Sequence, residues 1–171
     1  MNRRQLEHIL RACGSISGSQ GIVVIGSQAI LGACPDAPNE LLRSMEADVY
    51  PIDAPDNANL IDGCIGELSP FHETFGYYAH GIGPETAMLP VGWKSRLVPI
   101  ANENTGGVTG LCLSPVDLAI SKLCAGREKD LDFVNGMLRS KLTTKIAIES
   151  VCTELTPDQM DLVAKRLLLC R

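Results

Sequence analysis

The chain has 171 residues, 45% hydrophobic and 20% charged, which is one domain's worth of sequence with enough apolar side chain for a core. That balance excludes disorder, collagen and coiled coil. Fifteen Lys and Arg against twenty Asp and Glu give a net charge of −5, and aromatics are only 4%. Both figures argue against a protein whose main task is to grip a nucleic-acid backbone or stack single strands, while leaving room for a local basic patch.

Arg3 to Cys13 places Leu6, Ile9, Leu10 and Cys13 at helical spacing and reads as an amphipathic helix. The charged residues Arg3, Arg4, Glu7, His8 and Arg11 fall where a secretory leader would be apolar. Gly14 to Gly21 reads as a Gly/Ser loop. Gly21 to Ile25 is a short apolar, β-branched run, the pattern of a strand buried on both faces. Gly26-Ser27 ends it, Gln28 to Leu31 begins a short helix, and Cys34 to Asn39, with Pro35 and Pro38, is a loop. A second strand covers about Glu46 to Ile52. Asn59 to Leu68 suits a helix, and Gly76 to Ile82 and Ser95 to Ile100 look like strands. Asn102 to Gly110 is a turn-rich hairpin candidate.

From Ser114 the pattern is helical. Ser114-Pro115 is an N-cap followed by a first-turn proline, opening Val116 to Cys124. Glu128 to Arg139 follows, then a helix from Thr143 or Thr144 to about Leu155. Thr156 to Gln159 is a capping box opening a last helix to Leu169. Helix, strand, helix, strands, then helices is an α+β order. No run approaches the roughly 18 to 20 apolar residues that span a bilayer. The seven cysteines (Cys13, Cys34, Cys64, Cys112, Cys124, Cys152 and Cys170) are scattered, with no Cys-x-x-Cys and no histidine pair at zinc spacing. Free, mostly buried thiols in a reducing cytoplasm are the expectation.

Two features carry chemistry. A Gly-Ser turn between a buried strand and a helix lets backbone approach a ligand and aims N–H groups at an anion such as a phosphate, although most such turns only turn the chain. Glu46 and Asp48, two apart on a strand, project from one face with roughly 7 Å between their Cα atoms. Such a pair either faces solvent on an edge strand or holds a cation between its members, for which Mg²⁺ is the natural choice. His72 and His80 offer a metal pair or a catalytic base, but with no third partner at ligand spacing they read rather as packing or hydrogen-bonding histidines, and Trp93 as a packing anchor. Arg127 and Asp130 have helix-surface ion-pair spacing. Arg139, Lys141 and Lys145 are candidates for meeting an RNA acceptor, although charged helix ends are usually only solvated. No G-x-G-x-x-G follows any strand, which excludes a Rossmann-type dinucleotide site.

Taken together, strand, Gly26-Ser27, helix, loop and the acid-x-acid pair Glu46-Ala47-Asp48 resemble the signature of the nucleotidyltransferase superfamily with the polymerase-β-like fold. A second block, Leu113 to Phe133, holds Lys122 and Arg127-Glu128-Lys129-Asp130. It looks like the Lys…Arg-x-Lys-Asp block of bacterial nucleotidyltransferases related to type IV toxin–antitoxin toxins. The stretch from Glu67 to Leu97 is similar to a small branch of the same superfamily, so the likeness runs from about Gly21 to Leu138.

The resemblance implies one α+β domain over residues 1–171, with a mixed sheet flanked by helices and a helical C-terminal part over residues 114–171. It implies that Gly26, Ser27, Lys122 and Arg127 bind a nucleoside triphosphate, that Glu46 and Asp48 hold Mg²⁺, and that Lys122 and Asp130 complete the catalytic group. The implied reaction passes a nucleotidyl group to an acceptor hydroxyl on tRNA or protein, in a cytoplasmic enzyme with no membrane partner, the toxin of a pair with an antitoxin partner. Two departures stand out. Glu46 replaces the usual Asp, and the two later strands carry no third carboxylate, so Asp130, His80, Glu85 or Glu103 completes the site or catalysis is impaired. The rival reading is a degenerate domain that binds a protein or nucleotide without turnover.

Overall fold

In the computed structural model, which describes residues 1–170, the apolar run after Gln20 becomes the middle strand of a five-stranded sheet. The strands are β1 (Gly21–Val24), β2 (Glu46–Pro51), β3 (Tyr78–Gly81), β4 (Val98–Ile100) and β5 (Thr109–Cys112), in spatial order β3–β2–β1–β5–β4. The sheet is mixed. β1 runs antiparallel to β2 and parallel to β5, β2 is parallel to β3, and β4 is antiparallel to β5. Ile22, Val23 and Val24 are all fully buried, as a central strand requires.

Eight helices surround the sheet among the described residues: α1 (Arg3–Ser17), α2 (Ile30–Ala33), α3 (Ala58–Ile65), α4 (Pro70–Phe75), α5 (Pro115–Ala125), α6 (Glu128–Arg139), α7 (Lys145–Cys152) and α8 (Pro157–Leu167). The first three contact the sheet, α1 and α3 at β2 and β3, and α2 at β4 and β5. The last three gather on α5, which itself packs beside the Ser27–Ala29 turn at the end of β1. This α+β arrangement sets the C-terminal helices over the Gly26-Ser27 end of the sheet. No helix among the described residues is long and apolar enough to cross a membrane, and all seven cysteines are free thiols.

The structure departs from the sequence expectation at four elements. α1 continues four residues beyond Cys13, because Gly14 is where the helix meets Val108 too closely for a Cβ, and Ser15 and Ser17 donate their hydroxyls back to the Arg11 and Cys13 carbonyls. Only Gly18, at φ 72°, breaks the helix. β5 falls partly within the expected hairpin turn. Its Gly110 reads as a turn residue, yet it is a strand position where any Cβ would strike Leu10 of α1. β4 starts at Val98, not Ser95, because Trp93–Arg96 forms a 3₁₀ turn and Arg96 reaches to Asp117 and Glu154. α4 was not expected; Ser69 caps it, Pro70 opens it and Gly76, at φ 74°, ends it.

Candidate functional site

The first wall of the site is made where β1 ends. Ile25 donates its N–H to the Asp48 carbonyl at 3.0 Å, so the chain leaving β1 stays against β2 as far as Gly26. Gly26 then lies directly under the Asp48 side chain. A Cβ there would collide with Asp48 Oδ2, so glycine is required by close approach. Glu46 and Asp48 project from one side of β2, while the alternate residues Ala47 and Val49 are fully buried.

The parallel β2–β3 register sets Tyr78 beside Glu46 and His80 beside Asp48. Tyr78 donates its hydroxyl to Glu46 Oε2 at 3.0 Å. His80 Nδ1 lies 3.1 Å from Glu46 Oε1 and 3.2 Å from Asp48 Oδ1. One ligand atom from each of Glu46, Asp48 and His80 falls within 4.8 Å of the others. Two carboxylate oxygens and an imidazole nitrogen so grouped are a donor set able to hold a divalent cation.

Packing like charges together perturbs all of these groups. Burial, and then the neighbouring Glu46, push the Asp48 carboxyl up to about 6. Burial would raise Glu46 too, but hydrogen bonds from Asp48, Tyr78 and His80 outweigh it and leave Glu46 below the usual carboxylate range. Burial alone would lower His80, yet the two acids hold its imidazole above its ordinary value. The Tyr78 phenol is pushed up to about 12 by burial and by the Glu46 acceptor.

The second wall comes from α5 and α6. Lys122 donates to Ser27 Oγ at 3.0 Å, lies 3.3 Å from Asp130 Oδ1 and sits 5.3 Å from the centre of the Phe133 ring. Arg127 Nε donates to Asp130 Oδ2 at 2.6 Å. These two cations outweigh burial and hold the Asp130 carboxyl below its usual range. The Arg127–Asp130 spacing is therefore more than a surface pair: Arg127 is exposed but Asp130 is 1% exposed and ties both cations to the cleft. The seven candidates Gly26, Ser27, Glu46, Asp48, Lys122, Arg127 and Asp130 all line one cleft of about 710 Å³.

Of the four residues named for the position left open in the sequence, His80 is the one that stands beside both Glu46 and Asp48. Asp130 stands on the opposite wall with its cations. Glu85 and Glu103 lie outside the cleft, Glu103 in the turn after β4 that packs on α1. His72 is the hydrogen-bonding and packing residue expected: its Nδ1 accepts the Leu68 N–H at 3.0 Å and its ring sits 4.5 Å from Tyr78. His80 is a hydrogen-bonding residue too, but its partners are the two acids and it opens onto the cleft. Tyr78 and Arg43 escaped sequence reasoning, and Lys129 is given no role there beyond its place in the helix block. Only the pairing of β2 with β3 reveals Tyr78 as a partner of Glu46. Of the three basic residues singled out for RNA, Arg139 lines the cleft, whereas Lys145 donates to the Cys170 carbonyl at 2.7 Å.

Among known proteins, a family model described as a nucleotidyltransferase of unknown function (DUF6036) matches residues 4–166. No curated protein and no solved structure shows a significant match.

Proposed function

The chain belongs to this nucleotidyltransferase family, and from that premise we propose that it transfers a nucleotidyl group from a nucleoside triphosphate to an acceptor hydroxyl. The observation that carries the reading is the convergence of the Gly26-Ser27 turn, the Glu46/Asp48 pair and Lys122 on one cleft. Gly26 lets the Asp48 side chain sit against the end of β1, and Ser27 meets the triphosphate there. Lys122, held between Ser27 Oγ and Asp130, keeps its ammonium turned to the phosphates, and Arg127 supplies a second cation at the rim. Asp130 is a positioning residue that fixes both.

Glu46 and Asp48 are the ligands for the divalent cation, Mg²⁺ being the ion that a carboxylate pair and triphosphate oxygens favour. When bound, that ion supplies charge neutralisation and lowers the pKa of a hydroxyl beside it. The acceptor oxygen attacks the α-phosphorus and pyrophosphate leaves, so this chain's residues work by positioning and electrostatics. Arg43, Lys129 and Arg139 line the same cleft, together with Glu40 and Asp132 and with Arg139 paired to Glu40 at 2.9 Å; the surplus of basic groups at this rim is what favours RNA as the acceptor.

The test is incubation with each α-labelled NTP, Mg²⁺ and total cellular RNA. Labelled RNA from the parent, absent with Asp48→Asn, is the expected result. Nucleotide binding without transfer would move the reading to a non-catalytic nucleotide-binding module, and absence of both would overturn it.

A further inference from the structure

We propose that His80 is the third ligand of the cation site, and that its nitrogen makes the site select Mn²⁺ over Mg²⁺. The inference rests on the reading of Glu46 and Asp48 as a cation site and goes beyond it in the ligand and the ion.

The geometry points to His80 from two directions. Its strand position is set by the backbone: Asp48 and His80 are register partners on parallel strands, so the ring is beside the acid pair however the cleft is filled. Its Nδ1 stands 3.1 and 3.2 Å from one oxygen of each acid. Donors bonded to a single ion at about 2.1–2.2 Å lie about 3.0–3.1 Å apart when they are neighbours in an octahedron, so these separations, hydrogen-bonded here, also suit neighbouring ligands of one ion. Glu46, moreover, is oriented by the Tyr78 hydroxyl, the kind of outer hydrogen bond that fixes a metal-binding carboxylate.

As a surface ion pair alone, His80 would contribute little, because its side chain is 48% exposed. As a ligand it changes what the site takes. Mg²⁺ is a hard ion that keeps to oxygen, whereas an imidazole nitrogen suits first-row transition ions. Two carboxylates and triphosphate oxygens still demand an ion content with oxygen in an octahedral shell, and Mn²⁺ meets both conditions.

The experiment uses the full chain carrying [¹⁵N]histidine and Mn²⁺ as the probe, read by pulsed electron paramagnetic resonance and by competition with Mg²⁺. The parent should show a directly coordinated ¹⁵N and bind Mn²⁺ at least about tenfold more tightly than Mg²⁺. His80→Gln should lose the nitrogen coupling and most of that preference. His80→Asp should bind both ions without nitrogen coupling and bring their affinities together, which guards against a variant that merely fails to fold. Bound Mn²⁺ without nitrogen coupling, or a Mn²⁺-to-Mg²⁺ ratio unmoved by His80→Gln, overturns the proposal; if nucleotide binding still requires a divalent ion, the nucleotidyltransferase reading survives. No binding of either ion, with no nucleotide binding, takes both down together.

Discussion

Asp48 and Asp117 are both carboxylates on the inward side of regular elements, and their company is opposite. Asp117 is 0% exposed, but every part of it is answered. Arg96 donates to it through Nε at 3.0 Å and through a terminal nitrogen at 2.7 Å, and Ser114 donates its hydroxyl. Asp48 is 26% exposed and lies against Glu46, with His80 beside both. Depth does not mark the acid proposed for chemistry. Asp117 is ringed by donors, whereas Asp48 lies against the bare backbone of Gly26 and a neighbour of its own sign.

The largest effect that separates the two belongs to activity. Asp48→Asn should reduce nucleotidyl transfer by about a thousandfold, the scale of losing a group that stabilises transition-state charge. Its circular dichroism should be unchanged, and without metal its melting temperature should equal the parent's or exceed it. A melting temperature several degrees lower would class Asp48 with Asp117 and remove the distinction.

The converse substitution should act on stability alone. Asp117→Ala leaves Arg96 facing Glu154 with its other partner gone and the Ser114 hydroxyl without its acceptor. Breaking such a buried pair costs about 3 kcal/mol, which for a chain of this size lowers the melting temperature by roughly 5–10 °C. Transfer per folded molecule, measured below that melting point, should stay at the parent's level. A selective loss of activity with full stability would place the Arg96 cluster in the chemistry.

How much of this contrast is legible in the sequence depends on whether a signal is local. The Gly26-Ser27 turn, the acid pair and the Lys122–Asp130 helix block are short-range patterns, and β1, β2 and the four C-terminal helices follow from periodicity and caps. His80, Tyr78 and β5 are set by pairing between distant segments. One shift of the β2–β3 register would turn Tyr78 and His80 to the other face, and nothing in residues 76–82 states which register holds. Gly110 shows the same limit from the other side: it reads as a turn until Leu10 of α1 is found pressed against it. Arg96 sits in a stretch that looks like a strand, and only its distant partners Asp117 and Glu154 account for the turn.

A smaller effect sharpens the comparison within the site. Tyr78→Phe removes the hydroxyl that orients Glu46 while leaving the ring against His72. Loss of such an outer hydrogen bond lowers metal affinity by about tenfold or more, with the melting temperature nearly unmoved because the hydroxyl is part-exposed. Titration of the cation against parent and variant reads this directly; equal affinities would mean that Glu46 needs no orientation.

The subtlest separation is in pH, where the two kinds of carboxylate pull in opposite directions. Glu7 of α1 is a structural acid like Asp117: it is 4% exposed and accepts hydrogen bonds from Asn102 at 2.7 Å, Asn104 at 2.8 Å and Arg3 at 2.9 Å. Burial would raise its carboxyl, but these donors outweigh burial and hold it below the usual range. Because its folded value lies under the unfolded one, near 4.3, the stability it contributes is complete above that pH and is lost as pH falls through the lower folded value. Asp48 is the reverse. With a folded value of about 6 against about 3.9 unfolded, its ionisation costs stability above pH 6 and costs nothing below pH 4. Metal-free urea melts from pH 3 to pH 8 should therefore show Glu7→Gln losing about 1–2 kcal/mol at neutral pH and approaching the parent at the acid end. Asp48→Asn should gain stability at pH 8 and also approach the parent below pH 4, from above. If Asp48→Asn instead loses more stability at pH 8 than at pH 4, the like-charge strain assigned to the Glu46–Asp48 pair is wrong, and Asp48 is one more carboxylate that the fold keeps ionised for its own sake.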